Sequence, residues 1–188
     1  MARDCDTFAL CPWLRRQHRY RGLHHDSFVA YSLAVAAQPD HPLLLRGAGF
    51  EAIEVEQFDA VLKFFTLALK IDSTDAPAWE GQGIARMSRG DHVGGVRALA
   101  RAVSLSPLDP EFLVNLCQAH NLRGAYRAAI ESCSQALRVD AYDAAAHHQL
   151  AATYAALGDS AQMQHHLLHL RDLDPGLARS LETLLQSP

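Results

Sequence analysis

Eleven histidines and four cysteines are the residues of this 188-residue chain with the most evident capacity for chemistry. His165 and His169 are four residues apart, a spacing that sets two imidazoles on one helix face, with His147, His148 and His166 near in sequence. Zinc would need further ligands, and no cysteine or carboxylate obviously completes the shell. Ordinary packing and surface histidines are therefore expected, with no metal and no cofactor. Cys5, Cys11, Cys117 and Cys133 form neither a metal-type close pair nor a disulfide framework. Reduced thiols are expected, Cys5 and Cys11 near the start being the more reactive. The segment 13–21 interleaves Trp13 and Tyr20 with Arg15, Arg16, Arg19 and Arg21, a mixture that can bind nucleic acid or an anionic membrane surface. It is short, and the rest of the chain does not extend its charge. A solvated helix face is the expectation, contact with an acidic partner comes next, and no nucleic-acid partner is expected. Gly81-Gln82-Gly83 is not followed by the spacing a dinucleotide site requires. Neither a nucleophile elbow nor a paired catalytic carboxylate appears, and no enzyme is expected.

Composition sets the frame for these residues. A hydrophobic fraction of 49% is that of a globular chain, and a net charge of −4 fits neither a nucleic-acid binder nor an acidic tail. No apolar run approaches the ~20 residues of a membrane span. Within 1–16, Asp4 and Asp6 stand where a signal peptide needs positive charge. A cytoplasmic protein with no membrane span is the expectation.

The elements that must position the side chains come from an internal repeat. Gly22, Gly90, Gly124 and Gly158 fall on one ladder with a step of 34 residues, Glu56 filling the remaining rung. Ala34, Ala68, Ala102 and Ala136 fall on a second, continued by Leu170, and Pro39, Pro107 and Pro175 on a third. Each glycine sits between two helical stretches and ends the first in a left-handed conformation. Alanine inside the second helix allows close approach, and proline stops that helix. Apolar residues between these markers recur at helical spacing, as in Val61, Phe65, Ala68 and Leu69 or Ile130, Cys133, Ala136 and Leu137. No stretch alternates with period two, so the chain reads as all-helical.

This pattern resembles the tetratricopeptide repeat, a pair of antiparallel helices recurring every 34 residues. Ala78-Trp79-Glu80-Gly81-Gln82-Gly83 is similar to the start of the family motif, and Tyr154 fills the aromatic place of its repeat. Gly49, Gly83, Cys117 and Ala151 occupy the small-residue place where the two helices touch, while Ala52, Arg86 and His120 depart from the aromatic place. The resemblance implies an all-α fold, a right-handed superhelix of antiparallel helix pairs (a tetratricopeptide solenoid) with a C-terminal capping helix. After a tail at 1–7, the domain would run over 8–188. It would hold a degenerate unit at 8–41, repeats at 42–75, 76–109, 110–143 and 144–177, and the cap at 178–186. Cys117 and Cys133 would then contact each other within one repeat, with packing as small buried hydrophobes the expected role and a redox pair the alternative. His147 would face the core, and His165 and His169 would lie on the exposed side of a second helix.

The resemblance also implies a function, protein–protein interaction along the wall made by the first helix of each pair. Carried over to this sequence, the peptide-binding places are Arg46, Phe50, Ile53, Glu80, Ile84, Met87, Val114, Gln118, Asn121 and His148. Half of these places are apolar, with Glu80 acidic, which argues against a cationic clamp for acidic tails. An adaptor or chaperone holding a peptide with hydrophobic anchors is expected instead. Size and groove character further resemble the chaperones of type III secretion translocators. The alternative is that these side chains are packed rather than exposed. An exposed apolar wall or a loose amino-terminal unit could also mediate a homodimer.

Overall fold

A computed structural model describes residues 24–186. Cys5, Cys11, the basic segment 13–21, Gly22 and the part of the degenerate unit ahead of His24 lie outside the described residues. The described residues form ten helices and no strand. In order these are α1 (His24–Ala37), α2 (Pro42–Glu54), α3 (Phe58–Ile71), α4 (Ala76–Ser88) and α5 (His92–Leu105). There follow α6 (Pro110–Leu122), α7 (Tyr126–Val139), α8 (Ala144–Leu157), α9 (Ser160–Leu173) and α10 (Pro175–Gln186). Among the described residues no helix is long and apolar enough to cross a membrane.

Two chemical devices fix where these helices begin and end. Aspartate caps six of the starts. Asp75 Oδ1 accepts from the Ala78 amide at 3.0 Å, Asp109 Oδ1 from Glu111 at 3.0 Å, and Asp143 Oδ1 from Ala146 at 2.8 Å. Asp91, Asp159 and Asp174 do the same for α5, α9 and α10. Each satisfies an amide that the helix itself cannot, for about 1 kcal/mol. The turns inside the helix pairs use a left-handed residue, with φ of 81°, 69° and 74° at Gly90, Gly124 and Gly158. Glu56 takes the fourth rung of the ladder and the same conformation, at φ 57°. Its turn closes with Glu56 N on Ile53 O at 3.0 Å and Gln57 N on Ala52 O at 2.8 Å, matching the bonds of Gly90 to Met87 and Asp91 to Arg86. The backbone bonds thus outweigh the Cβ strain of a non-glycine residue, which is about 1–2 kcal/mol. Glu56→Gly is expected to stabilise the chain by roughly 0.5–1 kcal/mol, read from a raised urea midpoint at unchanged slope.

The chain divides into two compact units, Met1–Ala85 and Arg86–Pro188, with the boundary inside α4. In the first, α1 packs on α2 and α2 on α3. Leu45, Ala52, Val61, Phe65, Ala68, Leu69, Ala78 and Ala85 form its core. Phe65 is fully buried between two glycines. A Cβ on Gly49 would stand 2.7 Å from its Cζ, and one on Gly81 would collide with the tip of the ring. The degenerate α1 is attached by Phe28 and Val35, which pack against this core, and by His24, whose Nδ1 is 3.3 Å from buried Glu51, while Val29 and Leu33 stay exposed.

In the second unit each helix from α5 to α10 packs on the next, and α8 also meets α6 and α10. Small side chains carry the contacts. Cys117, Ala129, Cys133 and Leu150 make one cluster, and Leu113, Val114, Ala136 and Ala146 another. Ala151, Leu167, Leu170, Ala178 and Leu181 bind α8, α9 and α10 together.

Candidate peptide-binding face and the histidine cluster

Within the first unit, Arg46 is half-buried and its Nη1 donates to both carboxylate oxygens of Asp75, at 3.1 and 3.2 Å. The Arg46 guanidinium is thus held by the residue that caps α4. Phe50 stands edge-on to Phe65 at 5.1 Å and, with Ile53, packs against the core. Glu80 is buried, at 5% exposure, and Ile84 is half-buried.

Within the second unit the expected places separate into packed and exposed. Met87 packs on Leu99, Leu116 and Ala119. Val114 is 8% exposed and belongs to the α6–α7–α8 core, where a ligand would find no surface. Gln118 is exposed, and Asn121 and His148 are half-buried. Burial lowers the proton affinity of His148, which is neutral at pH 7. Asn121 joins α6 to α8. Its Nδ2 donates to Gln149 Oε1 at 3.1 Å, and its Oδ1 accepts from Thr153 Oγ1 at 2.8 Å. The two first helices of successive repeats are therefore pinned side by side, with Gln118 and Leu122 (62% exposed) beside the joint. Gln149, Thr153 and Asp75 escape a reading based on glycine, alanine and proline ladders. A fourth ladder, Asp75, Asp109 and Asp143, carries the signal for the capping residue. Nothing in the repeat pattern marks Gln149 or Thr153.

The cysteine expectation needs a correction. Cys117 on α6 and Cys133 on α7 form a disulfide, both fully buried. Their Cα atoms lie 5.4 Å apart, inside the range a bridge needs. The close helix contact that makes small residues necessary at both places also puts the two sulfurs within bonding reach.

The histidines converge between α8 and α9. His147, 4% exposed, has Nε2 3.2 Å from the Ala141 carbonyl and Nδ1 3.1 Å from Nδ1 of buried His166. A carbonyl only accepts, so the His147 hydrogen sits on Nε2 and its Nδ1 accepts from His166 Nδ1–H. His169 stacks on His147 at 4.8 Å, and His165 stands edge-on to His166 at 5.0 Å. Both are exposed. Burial is the main cause that pushes His166 down to about 4, with the three neighbouring imidazoles adding to it, and burial also lowers His147. Among the described residues no three histidine, cysteine, aspartate or glutamate side chains are arranged to hold a metal ion. An open groove of about 870 Å³ lies alongside, lined by Met163, Leu167, Leu168 and Leu185, with the Arg171–Glu182 ion pair among its walls.

No protein-family model matches the chain. Two curated proteins are similar in sequence. The TPR repeat-containing thioredoxin TTL4 of Arabidopsis thaliana is 29% identical over 96 residues, 51% of this chain and 14% of the relative. Superkiller protein 3 of Schizosaccharomyces pombe is 28% identical over 138 residues, 73% of this chain and 9% of the relative. The chain thus spans a small part of either relative's length. Among solved structures, TTC0263, a thermophilic TPR protein of Thermus thermophilus, matches with a TM-score of 0.78 at 14% identity, covering 93% of this chain and 96% of that one. YrrB, a TPR protein with an unusual peptide-binding site, matches at 0.69 and 18% identity, covering 89% and 88%. The helices described above have the fold of these repeat proteins.

Proposed function

We propose that this chain, whose helices have the tetratricopeptide-repeat fold, is a protein-interaction module, an adaptor or chaperone that holds a peptide along the first helices of its repeats. The observation that supports this most directly is the pinning of α8 against α6 through Asn121, Gln149 and Thr153. It makes a rigid two-helix surface on which Gln118, Leu122 and His148 are accessible in whole or part. A preorganised surface loses little entropy when a peptide docks. Gln118 supplies donor and acceptor for a peptide backbone, and Leu122 supplies an apolar seat for one anchor. The repeats of this reading run over 42–75, 76–109, 110–143 and 144–177, with 178–186 as the cap. Similarity to a repeat protein that has a peptide-binding site is in keeping with it.

The reading narrows the apolar groove. Phe50, Ile53 and Met87 are half-buried against core clusters and Val114 is buried, so the anchor is seated on the more exposed Leu122. No step of the proposal involves catalysis.

The test is a peptide selected from a displayed random library against the full chain, then titrated calorimetrically. Gln118→Lys and Leu122→Asp are each expected to weaken it at least tenfold, with the helical circular dichroism unchanged. A selected peptide that binds both variants as it binds the parent would refute the assignment of this face.

A further inference from the structure

The contact between α8 and α9 places four imidazoles together, two of them buried, at the point where the last helix pair is held shut. Three features make it unusual for a packing contact. First, the buried pair is joined by an N–H···N bond of 3.1 Å that exists only while at least one facing nitrogen is unprotonated. One added proton is accommodated if the His166 hydrogen moves to Nε2, so that Nδ1 accepts. A second leaves two N–H groups, each on a cationic ring, pointing at each other. Second, the exposed rings of His165 and His169 stand 5.0 and 4.8 Å from the buried ones, so any charge they carry opposes a charge inside. Third, Leu167, next to His166, and Leu170 belong to the cluster with Ala151, Ala178 and Leu181 that attaches α10.

Compensating charge is scarce. On His147 the charged groups are His165 and His169 of α9, which oppose the proton, and the carboxylate of Asp143, the α8 cap, which favours it, as does more strongly the hydrogen bond to the Ala141 carbonyl. On His166 the contributing groups are His147, His165 and His169, with no carboxylate. From α6, α7 and α10, the other helices against this pair, no charged side chain among the described residues contributes to either ring. Arg171 and Glu182, on α9 and α10, are paired with each other.

We propose that this four-histidine contact is an acid-sensitive latch, which holds α9 and α10 on α8 while its buried rings are neutral and releases them when those rings take up protons. Release would uncover Ala151, Leu167, Leu170, Ala178 and Leu181, an apolar surface that the neutral protein keeps covered. The sign follows from linkage. The opened state binds protons near the ordinary histidine value and the closed state only well below it, so opening is favoured as pH falls from about 6.5 toward 4. His166 alone raises the opening constant about 25-fold between pH 7.4 and pH 5.0. His147 adds to this in the same direction.

The experiment is amide hydrogen exchange on the full chain at both pH values, expressed as protection factors. Protection in 160–186 is expected to fall at least 25-fold at pH 5.0, while 110–139 keeps its own. Equal protection at both values, or a uniform loss along the chain, would overturn the latch. The double variant His147→Gln/His166→Asn retains an amide donor at each hydrogen-bonding position and no titratable ring. Its protection in 160–186 is expected to be independent of pH, and persistence of the pH effect would again overturn the proposal. Should the variant fail to fold, a proton NMR titration of the parent decides the matter. A His166 C2–H signal titrating below pH 5 supports the latch, and one titrating near 6.5 rejects it.

Discussion

Reducing the Cys117–Cys133 bridge is expected to lower stability by about 3 kcal/mol, since the bridge closes a loop of about 15 residues and reduction restores that freedom to the unfolded chain. For a chain of this size the thermal midpoint should fall by roughly 6–12 °C. The double variant Cys117→Ala/Cys133→Ala should lose a comparable amount and become indifferent to reductant. The loss concentrates in the third repeat, because the two sulfurs join α6 to α7 inside it. Both sulfurs are fully buried, so reductant acts through opening of this pair and the native protein should react slowly. Peptide mapping after alkylation without reduction should show the two cysteines linked. Finding both alkylated, together with a midpoint that ignores reductant, would remove the bridge from the account. The same map bears on the cytoplasmic expectation, because a bridge of this kind persists in oxidising compartments.

Phe65 gives the other large effect. Phe65→Ala is expected to cost about 3–5 kcal/mol, because the fully buried ring fills the space between Gly49 and Gly81, and glycine has no side chain with which to close the void. The converse change, Gly81→Ala, gains helix propensity yet forces a methyl into the ring, for a net loss of about 1–3 kcal/mol. The two sites share one volume and should therefore couple. In a Phe65→Leu background the tip of the ring is gone, and Gly81→Ala should become nearly neutral, a coupling of about 1–2 kcal/mol in urea denaturation. Strict additivity would mean that the ring does not occupy the space between these glycines.

Much of this fold was legible in the sequence because its local chemistry is repeated. Glycine at 90, 124 and 158 is demanded by a left-handed turn, and the spacing of 34 residues exposes the demand. Glu56 shows the limit of reading residue types. It breaks the ladder chemically and keeps it conformationally, because a hydrogen-bonded turn surrounds it. The proposed binding face was less legible. Val114 and Leu122 are both apolar residues on α6, and only the position of α7 and α8 decides that one is covered and the other open. The cysteine pair was placed in contact by the repeat register, but contact and covalent bonding differ by a small distance that spacing does not encode. His147 and His166 are 19 residues apart on different helices, and their hydrogen bond appears only when α8 and α9 are laid together.

The capping aspartates have a consequence for how such a chain can change its length. Asp75, Asp109 and Asp143 each stand immediately ahead of a first helix, so a cut made after any of them leaves equivalent ends. A duplicated stretch such as 110–143 would bring in its own helix start, its own internal turn at Gly124 and, at its close, the cap for whatever follows. Unequal recombination at these joints adds or removes whole units without requiring a new signal, which makes the number of repeats a quantity that selection can adjust separately from the sequence of any one of them.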